Sequence, residues 1–203
     1  MLTGSGTDMK TTSSGAQQSG VALEILDASS TNLTRISDDF LHVVESLTRL
    51  TVTGANLKTM PNLSIVQKTL KTVSFSKNDI HTSPASALQG MTKLESLDLS
   101  NNQLQLFPFH VLKSMSALKT IDLAGNRLTT IPIFYGYDSG ISFTLKLYSN
   151  PLICDRDLCW VKEKEGKVDV KLSDEPCASP GELTNKKWTS ISSSDLKCDT
   201  GKP

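Results

Sequence analysis

The chain has 203 residues, 37% of them hydrophobic, and its 21 acidic side chains balance 21 basic ones. That size suits one globular domain, and a neutral chain has no field to draw nucleic acid or an anionic membrane, so partners must be won by shape and local contacts. No run of 18 apolar residues is present to span a bilayer.

Residues 1 to 20, MLTGSGTDMKTTSSGAQQSG, are mostly Ser, Thr, Gly and Gln and are too poor in apolar side chains to bury anything, which predicts a flexible lead. They lack the apolar h-region of a secretory signal peptide.

From residue 21 to residue 152 the chain repeats. The frame is plainest in LESLDLSNNQL (94–104) and LKTIDLAGNRL (118–128), two copies of Lxx[LI]xLxxNxL set 24 residues apart. Carried in both directions it yields six coils starting at 23, 47, 70, 94, 118 and 142. Such a period signals a solenoid. Within LESLDLS, Leu97 and Leu99 alternate with Ser96, Asp98 and Ser100, the period-two pattern of a short strand with one buried face. The Asn that follows can turn its amide inward and satisfy backbone groups where the chain leaves the strand. Asn78, Asn102, Asn126 and Asn150 then stack as a ladder, while Thr31 and Ala55 hold that position in the first two coils, so the ladder is expected to start at Asn78.

A second apolar set follows each strand: Phe40, Leu41 and Val44; Leu63 and Val66; Ala87, Leu88 and Met91; Val111, Leu112 and Met115. Its spacing predicts short helices or 3₁₀ turns packing back on the strands. Pro61, Pro84, Pro108 and Pro132 recur between strands and exclude one long helix. In the fifth coil an aromatic, glycine-bearing segment at 134–140 replaces the turn, and is expected to be irregular and partly exposed. The outward strand residues form three lanes. One runs Ile25, Arg49, Thr72, Ser96, Thr120, Thr144; the next Asp27, Thr51, Ser74, Asp98, Asp122, Lys146; the third Ser29, Thr53, Ser76, Ser100, Ala124, Tyr148.

After the last coil, residues 153–203 hold all four cysteines, Cys154, Cys159, Cys177 and Cys198. Cysteines gathered at one end suggest disulfides and an oxidising compartment, and the sequons at Asn32 and Asn62 agree with glycosylation outside the cell. With no signal peptide in the chain, the native N-terminus is expected to be missing or replaced. Zinc is an alternative for the four thiols, although Cys177 and Cys198 are too far apart for a knuckle and no His follows them. The charged run KEKEGKVDVK at 162–171 reads as a solvated surface.

The repeat resembles the leucine-rich repeat family, and the segment from Asn150-Pro151 through Cys154 and Trp160 resembles the cysteine-rich C-terminal cap of its extracellular members. The resemblance implies an α/β leucine-rich repeat solenoid, with a curved parallel sheet on the concave face, short helices and 3₁₀ turns on the convex face, and a small disulfide-bonded cap. Arg156 stands where the second cap cysteine is expected, so Cys159 takes that role. First-to-third and second-to-fourth pairing, as in related caps, implies Cys154 with Cys177 and Cys159 with Cys198.

Extracellular members of this family bind proteins, which implies a non-enzymatic module with a protein ligand on the concave sheet. The candidate contact residues are Arg49, Lys77, Asp98, Asp122, Lys146 and Tyr148. A second reading is an accessory, non-catalytic subunit of an extracellular enzyme complex, similar to the non-catalytic subunit of a shrimp luciferase. An enzyme in its own right is disfavoured. Asp98 and Asp122 are adjacent but flat and without a histidine, His42, His81 and His110 fall outside the strands, and no GxSxG, HExxH or phosphate loop calls for a metal or cofactor.

Overall fold

The computed structural model describes residues 23–132, 142–163 and 168–198, with the backbone of Asp8 and Met9. Seven short strands form one parallel sheet in chain order: β1 Ile25–Asp27, β2 Arg49–Thr51, β3 Thr72–Ser74, β4 Ser96–Asp98, β5 Thr120–Asp122, β6 Phe143–Lys146 and β7 Val168–Lys171. From β1 to β6 the central apolar residues face each other in register, Leu26 to Leu50, Val73, Leu97, Ile121 and Leu145. All six are buried, because the alternation of the pleat sends one residue in two into the solenoid. Their outward neighbours stack in the lanes Ile25 to Thr144 and Asp27 to Lys146.

Leaving each strand, the chain takes a left-handed residue at the same repeat position in all six coils: Ser30, Gly54, Lys77, Asn101, Gly125 and Ser149, with φ between 54° and 65°. At this sharp bend the left-handed residue's own backbone N–H points to the neighbouring coil. Gly54 N donates to Ser76 O, Lys77 N to Ser100 O, Asn101 N to Ala124 O and Gly125 N to Tyr148 O. Only glycine adopts that region without cost, and Gly125 and Gly54 use the freedom.

The asparagine ladder begins at Asn78. Asn102 is representative: its Nδ2 donates to Phe75 O of the preceding coil and Leu99 O of its own at 2.9 and 3.0 Å, and its Oδ1 accepts from Ile80 N at 3.0 Å. Asn78, Asn126 and Asn150 repeat the pattern one coil apart, and all four are buried. Four amides thus neutralise backbone groups that would each cost roughly 1–3 kcal/mol if buried unpaired. Thr31 substitutes in part, its Oγ1 donating to Ala28 O at 2.7 Å. Ala55 offers nothing.

On the convex side the apolar sets fall on short helical segments of four to six residues. They are the helix Asp38–Val43, the 3₁₀ turn Leu63–Val66, the helix Ala85–Leu88 and the 3₁₀ turn Phe109–Ser114. Ser37 caps the first, its Oγ accepting from Phe40 N, and Pro84 and Pro108 open the third and fourth, where a missing N–H is harmless. Phe40, Leu63, Leu88 and Leu112 project from these turns into the stack of buried strand leucines. No coil buries enough surface alone, so stability resides in the neighbour contacts. The loop at 134–140 and the lead, apart from Asp8–Met9, lie outside the described residues. Asp8–Met9 pairs parallel with Arg35–Ile36.

The charged run at 162–171 is more than a solvated surface. Its last four residues form β7, which extends the sheet by a seventh rung, with Val170 on Leu145 and Lys171 on Lys146. Val168 and Val170 are half-buried while Asp169 and Lys171 point outward. The repeat frame continues into the cap: Cys177 pairs with Leu152, as Val170 does with Leu145. Glu175 takes the ladder position and is exposed, so the ladder ends at Asn150. Two disulfides close the cap, Cys154–Cys177 and Cys159–Cys198, with Cα atoms 5.4 and 5.7 Å apart. With every thiol bonded to another thiol, the zinc alternative fails. Trp160, on the short helix Cys159–Lys162, is buried over the last coil and donates its indole N–H to Ile131 O at 3.2 Å.

Candidate binding face

The sheet presents its three lanes on the concave side, and the lanes change character along the solenoid. The first two coils expose Ile25, Asp27 and Arg49 in their lanes, and from the second coil to the fourth the lane hydroxyls are engaged with one another. Thr53 Oγ1 lies 3.3 Å from Ser74 Oγ, Ser76 Oγ donates to Thr53 Oγ1 at 3.4 Å, and Ser74 Oγ donates to Asp98 Oδ2 at 3.0 Å. These groups satisfy each other and offer little to a partner.

From β5 onward charge takes over. Lys146 Nζ stands 3.2 Å from Asp122 Oδ2, and Lys171 Nζ 2.8 Å from Asp169 Oδ1, so three successive rungs carry two ion pairs. Lys171 is pushed above its ordinary value, first by the hydrogen bond and charge of Asp169 and more weakly by Tyr148. Tyr148 is 40% exposed beside this corner and is the one aromatic in the lanes.

Asp98 and Asp122 also have a structural task. Asp98 Oδ1 accepts from Ser100 N and Asp122 Oδ1 from Ala124 N, both at 3.0 Å, and Asp27 Oδ1 accepts from Ser29 N at 2.9 Å. Each carboxylate closes the turn at the end of its strand, as Asp does at i to i+2. One oxygen per side chain is therefore committed, and the other meets Ser74 or Lys146.

Of the residues singled out in the sequence, the structure gathers Asp98, Asp122, Lys146 and Tyr148 on neighbouring rungs. Arg49 lies three rungs from Asp122, roughly 14 Å away at the spacing of a sheet. Lys77 occupies the left-handed turn after β3, at the rim rather than in a lane. Asp169 and Lys171 join the corner without having been singled out; the alternation Val168, Val170, Leu172 was the signal. The three histidines are exposed and outside the strands. An apolar groove lies elsewhere, on the edge where the chain leaves the strands, between His81–Pro84 and Gln105–Pro108 with Leu106 exposed beside it.

A parallel solenoid with a buried asparagine ladder and a disulfide-closed end defines a repeat protein that presents a curved sheet. The leucine rich repeat family model matches residues 45–104 and 68–128, and the solenoid belongs to the leucine-rich repeat family, here with a cysteine-rich C-terminal cap. A comparison with curated proteins finds no match to this chain. Domains of this family serve in general as protein-binding modules. No helix among the described residues is long and apolar enough to cross a membrane.

Proposed function

We propose that this chain is a non-enzymatic protein-binding module of a secreted or cell-surface leucine-rich repeat protein, and that its protein ligand sits on the C-terminal half of the concave sheet. The observation that carries the reading is the corner formed by Tyr148 with the pairs Asp122–Lys146 and Asp169–Lys171. Interface energy concentrates on aromatic side chains flanked by charge, while small hydroxyls contribute complementarity. The lane hydroxyls of the second and third coils, Thr53, Ser74 and Ser76, are internally bonded and so are weaker candidates. The disulfides support an oxidising compartment. Asn32 and Asn62 are proposed as glycan acceptors, Asn32 exposed and Asn62 half-buried beside Ser64.

An array of extracellular proteins probed with the purified chain identifies the ligand. Changing Tyr148→Ala together with Asp122→Ala is then expected to weaken binding at least tenfold, and unchanged affinity moves the site away from this corner. A mass shift on glycosidase treatment, absent from the Asn32→Gln, Asn62→Gln variant of secreted protein, tests the glycans.

A further inference from the structure

The edge along which the chain enters the strands carries a feature separate from the concave face. Its backbone is stacked in register: Lys71 N donates to Thr48 O, Glu95 N to Lys71 O and Lys119 N to Glu95 O, each at 2.8 Å. Lys71, Glu95 and Lys119 therefore form a column, one side chain per rung at about 4.8 Å per rung. Among these three Glu95 is the one acid and is bonded to Lys119; that hydrogen bond and charge, and more weakly Lys71, hold its carboxyl below the ordinary value. The column continues towards the first coil as Thr48 and Glu24, with Glu45 beside Thr69, so the basic stretch begins at the third coil. Lys68 and Lys93 precede the first leucines of the third and fourth coils, and Lys113 lies in the last turn of the convex 3₁₀ segment Phe109–Ser114, from which the chain approaches the fifth coil's strand. All three are exposed, and among the described residues neither they nor Lys71 form an ion pair.

Within 67–71, 89–95 and 113–119 there are thus five lysines and one glutamate, in a chain with no net charge. Between them Leu70, Met91, Leu94, Met115 and Leu118 are buried, and the side chains left at the surface are small or polar, including Gln67, Thr69, Thr92 and Ser116. None of the large exposed hydrophobic side chains lies in these segments, and they hold no aromatic residue.

We propose that this strip of lysines binds a linear sulfated polysaccharide. A narrow row of unpaired ammonium groups suits a chain of anionic groups, each met as a point charge by a mobile donor. Bases of single-stranded nucleic acid stack on aromatic side chains, which the strip lacks, and a membrane-surface element inserts apolar side chains, which it also lacks. Asn32 follows its strand on the opposite edge, so a glycan there leaves the strip open, while Asn62 stands at the start of the convex turn Leu63–Val66.

Heparin is the probe. The full chain is expected to be retained on immobilised heparin at physiological salt and to elute as salt rises, because exposed charges are screened. Changing Lys68, Lys71, Lys93 and Lys113 to Ala is expected to weaken heparin binding at least tenfold. A matched variant with Lys58, Arg127, Lys186 and Lys187 changed to Ala should shift it less than twofold, with unchanged melting temperatures confirming the fold of both. If the first variant unfolds, Lys68→Gln with Lys93→Gln takes its place, with a threefold loss expected. Desulfated heparin should not bind. Equal losses in the two charge-matched variants overturn the assignment. So does absence of retention, and so does binding of polyglutamate, single-stranded DNA or phosphatidylserine vesicles as tight as that of heparin.

Discussion

The first two coils and the four that follow share one strand pattern and one turn, yet differ in what satisfies the backbone inside. From Asn78 to Asn150 every coil supplies an amide that bonds its own backbone and that of the coil before it. In the first two, Thr31 reaches one carbonyl and Ala55 none. The ends differ in the same sense. At the last coil, Trp160 and two disulfides seal the stack, whereas at the first, Leu23 and Ile25 are exposed, Ile25 by 59%. In a solenoid, where stability is a sum of neighbour contacts, that difference places the weakest link at β1 and β2.

The largest expected effect breaks the strong region. Asn102→Leu leaves Ile80 N without a partner and removes one of the two amide bonds to Phe75 O and to Leu99 O, which keep Asn78 Nδ2 and Asn126 Nδ2. Roughly 1–3 kcal/mol for the buried orphan and about 0.5–1.5 kcal/mol for each lost bond give an expected loss of a few kcal/mol. Thr31→Val, which frees one carbonyl at the weak end, should cost about 1 kcal/mol. Chemical denaturation of the two variants checks the ranking, and equal losses would refute the ladder as the source of the difference.

Next come the bridges. Removing Cys154–Cys177 by a double change to Ser is expected to cost about 2–4 kcal/mol, the usual range for a native disulfide. Amide exchange should then quicken first in β7 and in the Leu152–Ile153 pairing, and exchange quickened only in β1 would contradict the placement of the clamp.

Ala55→Asn sharpens the comparison by extending the ladder one coil. An amide there gains partners in Leu33 N, Ala28 O and Val52 O, and a gain of about 1 kcal/mol is expected, raising the melting temperature by roughly 2–4 °C. A lower melting temperature means that the first coils differ in backbone geometry as well as in side chains.

The smallest effect is on pH. Glu95, through Lys119, and Asp27, through Ser29, have folded pKa values below their ordinary ones. Their stabilisation is fully present above the unfolded value and is lost as pH falls through the folded one. Both are exposed, so melting temperature should stay level from pH 7 to about 5 and dip slightly below about 4. The Glu95→Gln variant should show a smaller dip.

Much of this was legible in residues alone. The repeat frame, the start of the ladder at Asn78 and the lanes follow from a strand period of two and a coil period of 24, both local patterns. Of the candidate face, Asp98, Asp122, Lys146 and Tyr148 could be placed together from the frame, while Asp169 and Lys171 could not. The stretch Val168–Lys171 alternates as a strand does, but its neighbours are charged and the coil before it lacks a regular spacing, so its pattern reads equally as surface.

Tertiary structure decided what depends on neighbours. Sequence by itself determined which side chains enter the solenoid, because burial follows the alternation along a single coil. Whether β7 adds a rung, and whether Asp122 meets Lys146 or a solvent-facing partner, depends on the coil that happens to lie alongside. The left-handed turn shows the same division: Gly54 and Gly125 announce it, but Ser30, Lys77, Asn101 and Ser149 adopt it too. There the neighbouring coil's carbonyl, or for Ser149 the Ser173 hydroxyl, receives the backbone N–H and offsets a conformation that these residues avoid on their own.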